Sequence, residues 1–375
     1  MAHQIDVVCE GRLIVGWISY SISISMIKAA GTFTLVRPFR EDAWDALRRD
    51  AKLTILIDGT KVFTGIVDDR IKSTKANTFT VSGGSVYGRL MKESAPSSTY
   101  EKLKLLEAVQ RLASPHIPTI TTSDAVNRTL RRGKGGKVVA GNEPLIIDIP
   151  TPKRGRVHPG TPRATIIEDL TAQAGYLVME AADGNSLIVL RPNYKQAAQY
   201  LVCNARTGST NRTTCDDLEI KESNRERYSL IAVVGTGAGD DANYGGNVTN
   251  RSGRALDFDS NDGTGRDFIR PKRLLMPEQD FDKNQDARRA AEKERARKDF
   301  HRTSIVATMP DHGQVIAGST VPTIYALNTI ARVIDEDFDP PFDDTYLIHT
   351  LNFDGSRQKQ MTKLEMVPTG TVIVP

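Results

Sequence analysis

Cysteine is scarce here. The chain of 375 residues holds only Cys9, Cys203 and Cys215, an odd set with no CxxC spacing. That excludes a disulfide framework and a paired-cysteine metal or redox centre, and it fits a reducing compartment. Long apolar runs are missing too. No stretch approaches the roughly 18 apolar residues that span a bilayer. The opening MAHQIDVVCEGRLIVGW also lacks the basic segment and apolar core of a signal peptide. A soluble protein made in a cytosol is the expectation. Charge of one sign is lacking as well: 50 basic against 46 acidic residues leave a formal +4, which by itself is no nucleic-acid footprint.

Catalytic patterns are equally absent. Histidines stand apart at 3, 116, 158, 301, 312 and 349, without HExxH or an i,i+4 pair, and no serine occupies a G-x-S-x-G elbow. RRGKGGK (131–137) continues into Val138 and no helical pattern, so it is not a phosphate-binding loop. Arg131, Arg132, Lys134 and Lys137 instead mark a basic loop. With 131–156 holding seven Lys/Arg, DNA or an acidic protein stays open as its partner, although no aromatic residue is present there for base stacking. DFDSND (257–262) lacks the glycine and glutamate of a calcium loop, and the six carboxylates of DEDFDPPFDD (335–344) read as a turn between strands. No catalytic residue, cofactor or metal ligand is expected.

What the sequence does have is strands. In GWISYSISISMI (16–27), Ile18, Tyr20, Ile22, Ile24 and Met26 share one face, and Ser19, Ser21, Ser23 and Ser25 share the other. The uncharged outer face is unusual. IDVVC and RLIVGW flank a turn at Glu10-Gly11, and KLTILIDGTKVFTGIVDD turns at Asp58-Gly59. Residues 1–95 therefore read as a β-barrel, with one short helix at 41–50. Residues 96–200 read as an α/β module, with amphipathic helices in EKLKLLEAVQRLAS and TPRATIIEDLTAQAG and a hairpin at Asp183-Gly184. Residues 201–350 read as a second β-barrel, with a long loop over 236–268 and a charged helix over 286–302. Last strands and a C-terminal extension, PTGTVIVP, occupy 351–375. The fold class is mainly β with α+β parts.

Three stretches carry a resemblance. One is Gly16–Phe33 with the IDGTKVFTGIVDD hairpin. Another is VSGGSVYGRLMKESA (81–95), where Gly84 stands in place of a frequent arginine. The third runs from the charged helix through TSIVATMPDHG to TIYALNTIARVIDED, with Tyr325, Asn328, Val333 and Asp335 in the expected places. Together they resemble the baseplate hub proteins of contractile-tailed bacteriophages, the Mu-type hub family related to late-control D tail proteins. The resemblance implies two tail-tube-like β-barrels per chain and a homotrimer forming a pseudo-hexameric ring. It implies a tail tube or adaptor above, a trimeric central spike below, other baseplate proteins around, and DNA passing through without specific binding. The location would be the virion tail, after assembly in host cytoplasm. On that reading Ser19, Ser21, Ser23, Ser25, Tyr325 and Asn328 lie at a channel or an interface. A tail-associated cell-wall hydrolase and a DNA-binding protein acting through 131–156 are the alternatives. For the serine face, an ordinary solvent-facing surface also stays open.

Overall fold

The computed structural model describes residues 3–96, 103–114, 116–122, 131–132, 138–139, 160–223, 225, 228–236, 251–256, 271–280, 284–300, 302–316, 319–356 and 358–369. Two compact units emerge: residues 1–219 with 305–369, and residues 220–304. The region expected as one domain, 201–350, thus contributes to both.

In the larger unit the strands β1 (Ile5–Cys9), β2 (Arg12–Ile14), β3 (Ser19–Ser25), β4 (Thr32–Pro38), β5 (Lys52–Ile57), β6 (Thr60–Ser73) and β7 (Thr78–Ser85) run in the order 3-4-7-6-5-1-2, all antiparallel. Alternation does the work. Ile5, Val7 and Cys9, Leu53, Ile55 and Ile57, and Phe33 and Leu35 all turn inward and are buried. Glu10-Gly11 and Asp58-Gly59 both adopt the paired positive φ of a tight hairpin turn, 49° and 76°, then 49° and 77°. The second strand is shorter than the sequence suggests and stops at Ile14; two residues on, Gly16 sits at φ 83°.

The α/β module belongs to this same unit. Helices Leu105–Ala113 and Arg163–Gln173 cover a small sheet in which Ser186–Leu190 pairs antiparallel with Leu177–Glu180 and parallel with Thr119–Thr122. Leu105, Val109, Leu112, Ile167, Leu170 and Val189 fill the space between. Its hairpin is anchored to the first sheet: the Thr64 hydroxyl donates to Ala182 O at 2.6 Å, and Lys52 Nζ to Asn185 Oδ1 at 2.6 Å. Glu180 reaches the other way and accepts from the N–H groups of Val86 and Tyr87, at 3.1 and 2.7 Å.

The rest of the larger unit is again sheet. Ile330–Asp335 pairs with Tyr200–Asn204 and with the long strand Phe342–Ser356, which turns back into Gln360–Pro368, and that strand pairs with Thr303–Met309. The acidic stretch 335–344 is the turn expected between two of these strands. Phe342–Ser356 also pairs with β3, so both halves of the chain share one continuous sheet.

The smaller unit is a three-stranded sheet, Arg251–Leu256, Leu230–Thr236 and Pro271–Asp280, with the helix Asn284–Phe300. The expected single loop over 236–268 is corrected here, because Arg251–Leu256 lies within it as a strand. Its Gly253 shows why: a Cβ there would fall 2.0 Å from the backbone nitrogen of Arg288, so strand and helix approach backbone to backbone. Ala287 and Ala291, one turn apart, are the small residues that allow it, and they pack with Ile231, Val233 and Ala255.

Candidate assembly surface

The serine strand is the centre of the shared sheet. Tyr20, Ile22 and Met26 are buried as the alternation requires. Ile18 and Ile24 are only half-buried, against expectation; Ile24 lines a cavity of about 300 Å³ together with Phe63, Tyr325 and Phe353. On the other face the serines do not stand alone. Ser19, Ser21 and Ser23 lie beside Val36, Thr34 and Thr32 of β4, which in turn lie beside Thr80, Ser82 and Gly84 of β7. On the opposite side, Ser21, Ser23 and Ser25 lie beside Asp354, Asn352 and Thr350. Across β3, β4 and β7 this face carries hydroxyls, one valine, one proline and one glycine, and no charge. Charged residues begin only at its margins, with Asp69 beside Ser82 on one flank and Asp354, Lys363 and Glu365 on the other.

Behind that face the two halves are locked by a buried polar node. Tyr20 Oη lies 2.6 Å from His312 Nε2, and His312 Nδ1 lies 2.8 Å from the Thr362 hydroxyl. Thr362 donates to Asp311 O at 2.9 Å, so it accepts from Nδ1–H, and Nε2 is left to accept from Tyr20. His312 is therefore neutral in this arrangement. Burial, reinforced by neighbouring His3 and partly offset by Asp58, pushes its pKa down to about 4. His3 stacks on His312 and bonds Asp58, while its backbone exchanges hydrogen bonds with the Gln360 side chain, 2.6 and 2.7 Å long. Gly355 completes the fit: a Cβ there would meet the Tyr20 ring at 2.2 Å.

The other expected site residues lie elsewhere. Tyr325 is 4% exposed and packs edge-on against Tyr200, with ring centroids 4.9 Å apart. Asn328 takes positive φ (58°), and its side chain accepts from Asn193 N at 2.9 Å. Both are thus engaged within the chain, Tyr325 in a core and Asn328 in a turn. Of the basic loop, Arg131–Arg132 forms a two-residue strand against Val138–Val139, whereas Lys134 and Lys137 lie outside the described residues. So do 257–262 and the C-terminal extension from 370. Among the described residues no group of three His, Cys, Asp or Glu side chains is placed to hold a metal ion, and no helix is long and apolar enough to cross a membrane. The node at His312 was missed by sequence reading, because its members lie hundreds of residues apart.

Residues 4–89 match the family model described as Mu phage baseplate assembly protein GpP-like, N-terminal. That span contains the serine strand and the Asp58-Gly59 hairpin. Among solved structures, the tail protein from Neisseria meningitidis MC58 superposes with a TM-score of 0.75 at 17% identity, covering 99% of this chain and 98% of that one. The 43 kDa tail protein of prophage MuSo2 from Shewanella oneidensis gives 0.72 at 17% identity, over 99% and 100% of the two chains. Over nearly its whole length the chain has the fold of these two tail proteins. A more distant likeness, TM-score 0.52 at 7% identity over 98% of this chain and 79% of the other, is to the Escherichia coli c3393 protein. It is described as a type VI secretion system component with structural similarity to T4 tail proteins gp27 and gp5. No curated protein matches the chain. The Mu-type resemblance carried by Gly16–Phe33 and its following hairpin is thus also that of the family model.

Proposed function

We propose that this chain is a structural, non-enzymatic baseplate hub of a contractile phage tail. Three copies close a ring in which two β-rich halves per chain present a pseudo-sixfold rim to the tail tube or its adaptor. The threefold symmetry suits a trimeric central spike on the other side, with further baseplate proteins around it. The ring assembles in host cytoplasm and functions in the virion. The observation that supports this reading is the uncharged hydroxyl face over β3, β4 and β7, in a sheet that runs through both halves of the chain. A conduit wall for DNA has to interact weakly with phosphates. Basic walls retain the polyanion through counterion release, and short hydroxyls hydrogen-bond water without doing so.

Native mass and two-dimensional image averages test the assembly: a ring of three around an open channel is expected, and a monomer at micromolar concentration overturns it. Clearing of a cell-wall zymogram by the isolated protein would overturn the non-enzymatic part. Salt-sensitive DNA binding that disappears on replacing Arg131, Arg132, Lys134 and Lys137 would overturn the passive conduit.

A further inference from the structure

The larger unit contains a repeat that the amino-acid sequence hides. β6 and Phe342–Ser356 are both long strands. Each pairs through its first part with the strand preceding it, Ile66 facing Lys52 and Leu347 facing Ile330, and each then skips one residue, between Val67 and Asp69 and between Ile348 and Thr350. Val67 is therefore equivalent to Ile348. The ladders carry the equivalence outward. Val67 faces Gly83, which faces Phe33; Ile348 faces Met366, which faces Ile305. Phe33 is equivalent to Ile305, and by the same count Pro38, where β4 ends, coincides with Pro310. One strand further, the N–H of Ile18 donates to Val36 O, and the N–H of Asp216 donates to the equivalent Thr308 O, both at 2.7 Å. The strand Asp217–Glu222 is thus the counterpart of the serine strand.

This equivalence exposes an asymmetry. In the second copy of the repeat, the distal part of the long strand, Thr350–Ser356, pairs with the first copy's serine strand. In the first copy, the distal part of β6, Asp69–Ser73, pairs with β7 on one side, and among the described residues its other side has no strand. Asp217–Glu222 is likewise the last strand of the sheet. One unfilled edge is the equivalent of Thr350–Ser356 and the other the equivalent of Ser19–Ser25.

We propose that these two edges pair between copies of this chain, antiparallel, in the register of the internal junction. Thr350 faces Ser25 and Asp354 faces Ser21 internally; between copies Asp69 faces Ser223, Arg70 faces Glu222, Ile71 faces Lys221 and Ser73 faces Glu219. Charge agrees with that register and with no like-charged opposition. Arg70, whose Nη1 donates to Trp44 O at 2.6 Å, falls opposite Glu222, Asp69 sits diagonal to Lys221, and Lys75 in the turn beyond β6 falls opposite Asp217. Ile71, 65% exposed in the single chain, becomes covered. Because the two edges differ, the contact is head-to-tail and closes into a ring when its rotation allows. The inference rests on the ring reading above and assigns the residues that join one copy to the next.

The test is oxidative cross-linking of the full chain carrying Ser73→Cys and Glu219→Cys, read on a non-reducing gel beside native mass. The three native cysteines are buried and silent. A ladder ending at the closed oligomer is expected, with little product from either single variant. A control pair, Ser73→Cys with Leu218→Cys, is slipped by one residue and so points to opposite faces; it should stay unlinked. A trimer by native mass with no Ser73–Glu219 product, or with the control pair linking better, overturns the strand-edge proposal and leaves the ring standing. A monomer by native mass with no product overturns both.

Discussion

The strands Ser19–Ser25 and Asp217–Glu222 occupy equivalent places in the two halves of one sheet, yet they share only an inward pattern. Tyr20 and Ile22 correspond to Leu218 and Ile220, while the outward serines correspond to Asp217, Glu219 and Lys221. The difference follows from what lies beside each. Between two strands of its own chain the serine strand needs close packing, and short hydroxyls supply it. Ser25 Oγ lies 2.8 Å from Thr350 Oγ1, for example. At the end of the sheet an uncharged strand would invite indiscriminate pairing, and charges on an edge strand suppress that. Charges also choose a partner, so the same residues that prevent aggregation can specify the correct neighbour.

The inward residues should separate the two strands most sharply. Ile22 is fully buried between Phe33 and Phe353, and Ile22→Ala should cost about 2–5 kcal/mol by urea denaturation. Ile220→Ala, at a half-buried position, should cost about 1 kcal/mol or less in the single chain and instead weaken assembly. Equal losses in the single chain would mean that the terminal strand is as fully packed as the internal one.

Acid should act on the internal junction next. His312 has a folded pKa of about 4 against an ordinary 6.5, so the unfolded chain binds the extra proton between those values. Stability contributed by the neutral ring is whole above pH 6.5 and is lost as pH falls toward 4, by about 3 kcal/mol at most. Burial sets His349 in the same direction and to a similar value. Glu180 works oppositely: burial raises its pKa to about 7, so its contribution weakens as pH rises from 4.5 through 7. The discriminating measurement is the difference in unfolding midpoint between wild type and His312→Gln across this range. That difference should shrink on acidification, and a pH-independent difference would remove His312 from the account.

A third contrast tests the close fit behind the junction. Gly355 and Thr74 are equivalent, but Gly355 lies against the Tyr20 ring, whereas exposed Thr74 sits at the edge that, among the described residues, has no strand beside it. Gly355→Ala should displace Tyr20 from His312 and cost about 1–3 kcal/mol, while Thr74→Ala should change the midpoint by about 0.5 kcal/mol or less. Crystal structures of the two variants would show whether the Tyr20–His312 bond is the one that breaks.

How much of this could be read from the chain alone depended on distance along it. Local signals sufficed for the alternating strands of the first 90 residues and for the hairpins at Glu10-Gly11, Asp58-Gly59 and Asp183-Gly184. Strands without alternation escaped. RSGRAL carries arginines and a glycine, and PKRLLMPEQD has a proline at its start and another inside. The β3 junction with Phe342–Ser356 joins residues more than 300 positions apart, and no local pattern encodes such a pairing. The repeat was hidden for two reasons. Most of the smaller unit lies between Asp217–Glu222 and Thr303–Met309, the first two strands of the second copy, and so interrupts it, and the outward residues, which make up half of every strand, differ between copies because their neighbours differ.

The smallest effect bears most directly on the serine face. Ser21 is exposed and lies opposite Asp354, so Ser21→Glu sets like charges across the ladder, and Ser21→Lys sets opposite ones. Stability should fall by about 0.5 kcal/mol in the first case and hold or rise slightly in the second. If the face is an ordinary solvent surface, nothing more should follow. If it lines the conduit, Ser21→Lys should give assembled particles of normal stability that release DNA slowly, with the delay relieved by salt. Ejection timed at two ionic strengths therefore distinguishes a channel wall from a surface that happens to be serine. Unchanged timing at both would place the hydroxyl face outside the channel.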